Sequence, residues 1–238
     1  CYFLQKFLWG YNMIESALFT DFYELTMAQG YWKEKMNQEV VFDMFFRKNP
    51  FNGGFSILAG NETLIDTIMN FHFSKDDIRY LAEQKIFEQG FLDYLIDFRF
   101  TGDIYSMDEG TVIFPQEPLL RIHANLIEAQ ILEGLILNHI NFQSLIATKT
   151  ARIWLASKKA PIMEFGLRRA QGPDGAMSAT RASYIGGAAG TSNTLAGKES
   201  FAGQMYDDMM YEELSRTMTK NAGLGLADQI YLQLNGQA

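Results

Sequence analysis

The sequence predicts an α/β protein with three parts: a mixed α+β first region, the opening of a parallel α/β unit, and a helical C-terminal tail. Up to residue 158, segments with helical periodicity alternate with short β-rich runs. From residue 159 to 198 the order is strand, helix, strand, helix, which is typical of parallel sheets. From residue 199 to 238 the chain is rich in Met and acidic residues and has no strand pattern. Residues 1–15 form an apolar extension that matches none of these parts.

The bulk composition excludes several classes of protein. The chain has 238 residues, of which 47% are hydrophobic and 20% are charged, as in ordinary globular proteins. A formal net charge of −8 argues against a general nucleic-acid coat, which needs a basic face. Cys1 is the only cysteine, so an intrachain disulfide is excluded. The apolar start is too short to span a bilayer, and we expect a cytoplasmic protein with no membrane partner.

The first region begins with a predicted helix in "TDFYELTMAQGYWKEK". Asp21 is expected to cap its free amides, and Glu24 stands at the reciprocal position of a capping box. One side of this helix is predicted to be buried; it carries Phe22, Leu25, Ala28 and Trp32.

Strands and helices then alternate through the first region. "EVVFDMFFRKNP" predicts a strand whose buried face carries Val40, Phe42, Met44 and Phe46, and "GGFSILAG" predicts a second one. Residues 61–100 are predicted to be helical, with a helix start at Ser74, and "GDIYSMDEGTVIFPQEPLLRIHAN" is β-rich. A long helix is expected from Leu126 to Ser157, with Asn125 and Glu128 at its start. Its buried stripe is predicted to carry Ile127, Ile131, Leu135, Asn138 and Phe142.

The parallel unit opens with "PIMEFGL", which predicts a strand covered on both faces because its apolar residues do not alternate. "GAMSATRASYIGG" predicts a helix that ends at Gly186 or Gly187. "AAGTSNTLAGK" predicts a second strand end or turn that enters another helix. The tail after residue 199 is predicted to form two helices joined at "NAGLG".

Paired arginines at the end of the first parallel strand are the main candidates for chemistry. In "EFGLRRAQGPDGA", Arg168 and Arg169 stand where parallel α/β proteins bind ligands. Guanidinium groups suit carboxylates and phosphates, and the following helix start favours an anion. Gly172 and Gly175 are expected to let the backbone turn sharply or pass close to a ligand. The alternative is that one arginine pairs with an acidic neighbour, Glu164 or Asp174, while the other is solvated.

Other cationic and polar residues extend this hypothesis. We expect the nearby cations Lys149, Arg152 and Arg181 to contribute to a cationic pocket. The residues of "TSN", namely Thr191, Ser192 and Asn193, can cap a helix or bind a phosphate, and capping is the favoured interpretation.

The remaining polar residues have simpler interpretations. Asp21 is most simply a helix cap and Tyr23 part of the core. Glu128 and Glu133 are interpreted as a cap and a solvated or paired side chain rather than an acid/base couple. The three histidines, His72, His123 and His139, lack metal-ligand spacing, so no metal ligand is predicted. The sequence has no Walker-type phosphate loop and no dinucleotide fingerprint.

Several long motifs in order resemble the nicotinate phosphoribosyltransferase family. The stretches lie between residues 16 and 198; they are "ALFTDFYELTMAQGYW", "FDMFFRKNPFNGGFSILAG", "FPQEPLLRI", "EAQILEGLILNHINFQSLIATKTAR", "MEFGLRRAQGPDGAMSATRASYIGG" and "GTSNTLAGK". The resemblance implies a first α/β region followed by an irregular α/β barrel that opens at "PIMEFGLRRAQ". It also implies a reaction in NAD salvage, in which nicotinate and phosphoribosyl pyrophosphate give nicotinate mononucleotide and pyrophosphate. The implied cofactors are Mg²⁺ and ATP, with ATP hydrolysis coupled through a phosphorylated histidine.

The resemblance also implies roles for particular residues. Tyr23, with Asp21 beside it, would contact the nicotinate ring, and in dimeric members this segment can serve the neighbouring subunit's site. Arg168 and Arg169 would line the pocket for the nicotinate carboxylate and the phosphoribosyl phosphates, without a decision on which arginine binds which anion. Residues 191–193 are further substrate-binding candidates. No catalytic residue is assigned, because the family's phosphorylated-histidine segment has no counterpart after residue 198.

The tail resembles the end of the flagellar rod-binding domain, on "MYDDMMYEEL" and "GLGLADQIYLQL". Three hypotheses follow. The chain is a poorly active, truncated or chimeric enzyme of nicotinate salvage, whose barrel within residues 159–198 is incomplete. Alternatively it is a flagellar assembly protein that binds rod proteins through its last helices. The third hypothesis is a non-catalytic module that binds anions at the paired arginines.

Overall fold

The computed structural model describes residues 16–199. The helices are α1 (Phe22–Lys33), α2 (Asn61–Met69), α3 (Lys75–Glu83), α4 (Gln89–Ile96), α5 (Leu126–Ala156), α6 (Gly172–Ile185) and α7 (Thr194–Glu199). The strands are β1 (Glu39–Met44), β2 (Ser56–Ile57), β3 (Asp103–Ser106), β4 (Val112–Ile113), β5 (Leu120–Asn125), β6 (Met163–Glu164) and β7 (Gly190–Thr191). The predicted extension at residues 1–15 and the predicted helices of the tail after residue 199 lie outside the described residues.

The first region is built on an antiparallel sheet in the order β1-β5-β3. Strand β1 pairs with β5 so that Phe42 lies opposite Ile122, and β3 pairs with β5 on its other side. A second, two-stranded sheet joins β2 and β4. The predicted strands and the long helix are therefore confirmed, and the helical stretch 61–100 consists of α2, α3 and α4.

The main hydrophobic core lies between the β1-β5-β3 sheet, α1, α2, α4 and the first half of α5. Its largest fully buried side chains are Phe91, Leu25, Leu58, Leu64, Leu81, Leu95, Ile113, Leu119, Ile122, Ile127, Ile131 and Leu132. Phe91 contacts three aromatic rings, with ring centroids 6.0–6.2 Å away. Among the described residues no helix is both long and apolar enough to cross a membrane.

Two of the helix starts predicted in the first region, at α1 and α3, have different outcomes. At α3 the helix start predicted at Ser74 is confirmed, and it takes the form of a capping box: the Ser74 hydroxyl accepts from the Asp77 amide, and the Asp77 carboxylate accepts from the Ser74 amide. At α1 the prediction is wrong, because the Asp21 side chain caps no amide. The Glu24 side chain is buried and accepts a hydrogen bond from Gln130 of α5, so a tertiary partner replaces the local one. Phe22, expected in the core, is exposed.

Burial along α5 follows its changing neighbours rather than one stripe. Ile127, Ile131 and Leu135 are buried as predicted, but Asn138 is exposed and Phe142 is only half-buried. The second half of α5 is covered by β2, α2 and α6, and its buried residues include Gln143, Ser144, Ala147 and Thr148. These elements pack on a different side of α5, so the side that carries Asn138 remains open.

The parallel unit is confirmed in its order β6, α6, β7, α7. Strands β6 and β7 are parallel, with Met163 opposite Gly190 and Glu164 opposite Thr191. Helix α6 ends at its C-cap Gly186, one of the two predicted positions. The prediction of a strand covered on both faces is wrong for β6: Met163 and Glu164 are half-buried, and the following Phe165 is 53% exposed. Within residues 16–199, β6 has two residues and pairs only with β7, too little structure to cover both faces.

Candidate anion-binding site at the ends of the parallel strands

The paired arginines lie on a tight turn between β6 and α6. Leu167–Arg169 form a 3₁₀ turn with Gly166 as its N-cap, and the Arg169 amide donates to the Gly166 carbonyl oxygen at 2.8 Å. Both arginine side chains are exposed. Neither guanidinium has a hydrogen-bond or ion-pair partner among residues 16–199.

The alternative interpretation, in which one arginine pairs with Glu164 or Asp174, is wrong in this structure. The Glu164 carboxylate accepts hydrogen bonds from the Gly166 amide and from the Thr191 hydroxyl, so its acceptors are used by neutral donors. Both guanidinium groups are therefore free to bind an anion, although the described part of the chain does not enclose a pocket around them.

The start of α6 adds to the positive character of this corner. Gly172 begins the helix with φ +82°, a left-handed conformation that disfavours side chains, so its predicted role in a sharp turn is confirmed. Gly175 lies inside the helix, and a Cβ there would touch only the Gln171 side chain, at 4.0 Å. Neither a sharp turn nor a close approach of the described residues therefore requires a glycine at this position. Helix α6 has 14 residues, and its free N-terminal amides carry a partial positive charge near the arginine turn.

The "TSN" residues follow β7 and lie close to Glu164. The Thr191 hydroxyl donates to the Glu164 carboxylate at 2.7 Å and accepts from the Asn193 amide at 3.0 Å. The Asn193 carboxamide oxygen accepts from the Ala196 amide at 3.4 Å, which confirms the capping interpretation for α7. Ser192 is exposed, and its amide donates to the Glu164 carbonyl oxygen. Binding of substrate by these three residues stays a prediction.

The predicted contribution of further cations to this corner is wrong for two of them. Arg181 of α6 is directed towards the first region, where it binds Glu109 through both of its terminal nitrogens, at 2.9 and 2.6 Å, and also contacts Glu62. Arg152 donates to the Phe51 carbonyl oxygen at 3.0 Å and lies over the Phe51 ring. Lys149 is exposed on α5. Among residues 16–199, Arg168 and Arg169 thus supply unpaired positive charge to the corner, and a contribution of Lys149 stays a prediction.

Tyr23 is also accessible, contrary to its interpretation as a core residue. Its side chain is 53% exposed on α1. A hydrogen bond to Glu24, followed by the negative charge of Glu24, raises the pKa of Tyr23 to about 12. Burial, together with Glu24 and Asp21, raises the pKa of Glu133. Tyr23 therefore stays protonated, as a neutral aromatic donor beside a group of carboxylates.

The chain does not bring Tyr23 and the arginine turn together. The segment before α1 contacts α5 where the Thr20 hydroxyl donates to the Ile131 carbonyl oxygen. Helix α6 contacts α5 at Ala147, which lies against Gly186. These two contacts are separated by 16 residues of α5, which corresponds to about 24 Å of helix rise.

Glu128 differs in detail from its predicted capping role. Its carboxylate accepts from the Thr101 amide and hydroxyl at 2.7 and 2.9 Å, and Asn125 donates to it at 3.0 Å. The Asn125 side chain makes no cap bond to the α5 backbone. Glu128 therefore joins the start of α5 to the segment before β3. That it forms no acid/base couple with Glu133 stays a prediction.

In the part of the chain that the structure describes, no three His, Cys, Asp or Glu residues gather as a metal site. His139 is largely buried in α5, where burial lowers its pKa and its Nδ1 lies 2.9 Å from the Leu135 carbonyl oxygen. His72 and His123 lie in the first region, after α2 and on β5.

Three residues at the arginine corner were not identified as functional candidates from the sequence. Glu164 accepts hydrogen bonds from both sides of the corner, Thr180 lies 3.3 Å from its carboxylate, and Phe165 exposes an aromatic ring beside the turn. An acidic residue at the end of a predicted strand, just before the paired arginines, was the available signal for Glu164.

Comparisons with known proteins agree with this fold. Residues 18–141 match the nicotinate phosphoribosyltransferase (NAPRTase) N-terminal domain family, and residues 177–233 match the rod binding protein family. Nicotinate phosphoribosyltransferase pncB2 of Mycobacterium tuberculosis is 46% identical over 183 residues, which are 77% of this chain and 40% of the relative. The Dictyostelium discoideum nicotinate phosphoribosyltransferase is 48% identical over 78% of this chain and 32% of its own length.

The structural comparison gives the same result. The crystal structure of human nicotinic acid phosphoribosyltransferase is similar to 76% of this chain with a TM-score of 0.70 and 36% identity, over 37% of the human chain. The chain thus spans about two fifths or less of the length of these relatives. The rod binding match overlaps α6, β7 and α7, which the structure places in the parallel unit. From the matched N-terminal domain, the shared fold and the identity to these relatives, the chain belongs to the nicotinate phosphoribosyltransferase family.

Proposed function

We propose that this chain supplies part of an enzyme that forms nicotinate mononucleotide and pyrophosphate from nicotinate and phosphoribosyl pyrophosphate in NAD salvage. One observation carries the proposal: among residues 16–199, Arg168 and Arg169 have no protein partner, and they follow the carboxyl end of β6 next to the parallel strand β7. Ligands of open α/β sheets bind at such ends. Several relatives are named nicotinate phosphoribosyltransferase, which identifies the class of anions to test.

The arginines suit the charge changes of this reaction. When nicotinate nitrogen attacks the anomeric carbon, the bond to pyrophosphate breaks and the leaving group takes the electron pair. Two fixed guanidinium groups stabilise that developing negative charge, and they also bind a ground-state phosphate or the nicotinate carboxylate. The N-terminal amides of α6 add hydrogen-bond donors that also carry a partial positive charge.

The implied Mg²⁺ finds no cluster of protein ligands within residues 16–199. No three acidic or histidine side chains gather there, so these residues do not fit a protein-held metal. Mg²⁺ commonly binds substrate phosphates with few protein ligands, and it would neutralise phosphate charge when bound in that way. We therefore assign anion binding alone to the described residues.

Tyr23 and Asp21 are proposed to serve a site on a second copy of the chain. Tyr23 is exposed, neutral and remote from the arginine turn of its own chain. A homodimer in which α1 of one copy lies near the arginine turn of the other would bring an aromatic ring to the nicotinate ring. In a mixture of Tyr23→Ala and Arg168→Ala chains, one of the two sites of each mixed dimer keeps both side chains, so the trace turnover of the mixture should exceed that of either variant alone.

We further propose that the 238-residue chain by itself is poorly active. Phe165, Leu167 and Leu195 are exposed apolar side chains around the two-stranded parallel sheet. A sheet of two short strands with exposed apolar neighbours holds a ligand corner only loosely.

The test is binding and turnover by the purified chain. Nicotinate, phosphoribosyl pyrophosphate, Mg²⁺ and ATP are supplied, and nicotinate mononucleotide is measured by chromatography. Calorimetric titration with inorganic pyrophosphate measures the anion site separately. We expect trace turnover and measurable pyrophosphate binding, which the double variant Arg168→Ala/Arg169→Ala loses.

The matched control is Arg79→Ala, which removes an exposed arginine of α3 that pairs with Asp76. Its pyrophosphate binding should equal that of the parent chain. Equal binding by the double variant would refute the anion site, and rapid turnover by the parent would refute the proposal of poor activity.

A second candidate function is supported by the rod binding protein match at residues 177–233. In this case the chain binds flagellar rod proteins through its C-terminal tail. A pull-down with purified rod proteins compares the full chain with a variant that ends after residue 199. Equal capture by both would exclude the tail as the binding element.

A further inference from the structure

The carboxylate of Glu164 lies between the two strand ends of the candidate site. Glu164 is the last residue of β6, and its side chain is half-buried. One carboxylate oxygen accepts the Gly166 amide, immediately before the arginine turn. The other accepts the Thr191 hydroxyl at 2.7 Å, at the end of β7. A single side chain is therefore bonded to both sides of the corner.

The Gly166 bond fixes where the arginine turn begins. A Cβ on Gly166 would lie 2.7 Å from the Glu164 carboxylate oxygen, so the backbone approaches this group very closely. Gly166 is also the N-cap whose carbonyl oxygen accepts the Arg169 amide at 2.8 Å. The direction in which both guanidinium groups leave the turn thus depends on the position of the Glu164 carboxylate.

The Thr191 bond connects that turn to the β7–α7 corner. The Thr191 hydroxyl gives its one proton to Glu164 and accepts from the Asn193 amide. Asn193 in turn caps α7 through the Ala196 amide. Thr180 of α6 lies 3.3 Å from the same carboxylate oxygen, but its hydroxyl is closer to the Ala176 carbonyl oxygen, at 2.9 Å. The firm links are those to Gly166 and Thr191.

Neutral hydrogen-bond donors occupy the acceptor oxygens of Glu164, so the carboxylate is not paired with a neighbouring arginine. A carboxylate a few residues from two guanidinium groups would ordinarily attract one of them. Here an amide and a hydroxyl satisfy its acceptors, and no cation pairs with it among residues 16–199. Both guanidinium groups remain available to an external anion.

We propose that Glu164 is a positioning residue that orients Arg168 and Arg169 for the anionic reactant by joining the Gly166 turn to Thr191. This inference rests on the proposed function and names a residue that acts through the arginines without touching substrate. Loss of the Gly166 and Thr191 bonds should loosen the turn and lower anion affinity, while the first region keeps its stability.

Two measurements on the full chain test the proposal. Hydrogen exchange reports the amides of residues 165–171, and calorimetry reports the affinity for inorganic pyrophosphate. In Glu164→Gln the negative charge and one acceptor oxygen are lost, so the links to Gly166 and Thr191 are no longer charge-assisted and become weaker. We expect faster exchange in 165–171, unchanged exchange in α3 and α4, and pyrophosphate affinity lower by about tenfold.

A second pair of variants keeps the test decisive if Glu164→Gln folds poorly. Thr191→Val removes the hydroxyl that reaches Glu164, and Thr191→Ser retains it. The valine variant should lose affinity and protection in 165–171, and the serine variant should recover most of both. A merely structural role would lower thermal stability without this rescue of anion affinity.

The outcomes separate this inference from the proposed function. If Arg168→Ala/Arg169→Ala abolishes pyrophosphate binding but Glu164→Gln and Thr191→Val bind like the parent, the positioning role is wrong and the anion site stands. If the double arginine variant binds normally, the anion site is wrong. Exchange in 165–171 that is unchanged in both Glu164→Gln and Thr191→Val overturns the positioning role irrespective of any binding result.

Discussion

Different interactions stabilise the first region and the parallel unit. Residues 16–158 contain the main hydrophobic core, with α1, α4 and the first half of α5 enclosing large aliphatic and aromatic side chains. The parallel unit contributes the buried Ala182 and the partly buried Ile185 to a small second cluster with Ile57, Ala59 and Ala147. Its other links to the first region include the ion pairs of Arg181 with Glu109 and Glu62. Apolar burial thus stabilises the scaffold, whereas close helix packing and polar contacts position the candidate site.

The comparison teaches why the site depends on single polar groups. The main core consists of many side chains that pack against one another, whereas the arginine corner depends on a few hydrogen bonds around Glu164. The following predictions test this contrast in order of expected effect.

The largest effect is expected from Phe91→Ala. Phe91 is fully buried and contacts Phe87, Tyr94 and Trp32. Its removal should lower the free energy of unfolding by about 3–5 kcal/mol through lost burial and a cavity. Urea denaturation measures the change, with Leu155→Ala as the control at a half-exposed position. An equal loss in both variants would contradict the assignment of the main core.

Gly186→Ala should disturb the contact between α6 and α5. A Cβ at Gly186 would lie 2.8 Å from the Thr150 Cβ and would also clash with the Ala147 carbonyl oxygen. Overpacking of this kind costs about 1–3 kcal/mol. Hydrogen exchange should rise in α6 while α3 and α4 stay protected.

Gly175→Ala is the matched control within the same helix. A Cβ there meets only Gln171, at 4.0 Å, so it should stabilise α6 by roughly 0.5–1 kcal/mol through helix propensity. If both glycine variants behaved alike, close packing at Gly186 would not be what joins the two regions.

Arg181→Ala should release the polar link between the regions. Glu109 is half-buried and accepts from Arg181 and from the amides of Gly60 and Asn61. Removal of the guanidinium leaves Glu109 without its ion partner, at a cost of about 1–3 kcal/mol. Thermal unfolding compares this loss of stability with that of Arg79→Ala. The exposed ion pair of Arg79 with Asp76 should contribute less than about 0.5 kcal/mol. Similar losses in the two variants would mean that the Arg181 group contributes no more than a surface pair.

The smallest effect is expected in the pH dependence of the stability that Glu109 contributes to the fold. Burial acts to raise the pKa of Glu109, but the hydrogen bonds from Arg181 and Gly60 outweigh it, and the pKa lies below its ordinary value of 4.5. A carboxyl whose pKa is lowered by folding stabilises the fold above its unfolded pKa, and this stabilisation disappears as pH falls through the folded pKa.

From pH 7 down to values below 4.5, the parent chain should therefore lose more stability than Arg181→Ala does. Urea midpoints at pH 7 and at acidic pH measure the difference between the two chains. Parallel losses in both chains would show that Arg181 does not lower the pKa of Glu109.

Much of the fold could be predicted because its signals are local. Apolar periodicity gave the 31-residue helix α5, the strand β1 and the β6-α6-β7-α7 order, and Ser74 marked a true capping box. The errors at Glu24 and Arg181 share one cause. Each was assigned a local or functional role, while Glu24 and Arg181 bind residues far along the chain, such as Gln130 and Glu109.

The sequence by itself determined the succession of helices and strands, the glycine that ends α6, and the placement of two arginines on a turn after a strand. These features follow from residue spacing and backbone preference, which act over a few residues. Only the tertiary structure decided that Glu164 binds Gly166 and Thr191, that Arg181 turns to Glu109, and that neither paired arginine has a partner within residues 16–199. Hydrogen-bond and ion-pair partners are chosen by the folded chain, because a polar side chain binds whichever group packing places within about 3 Å.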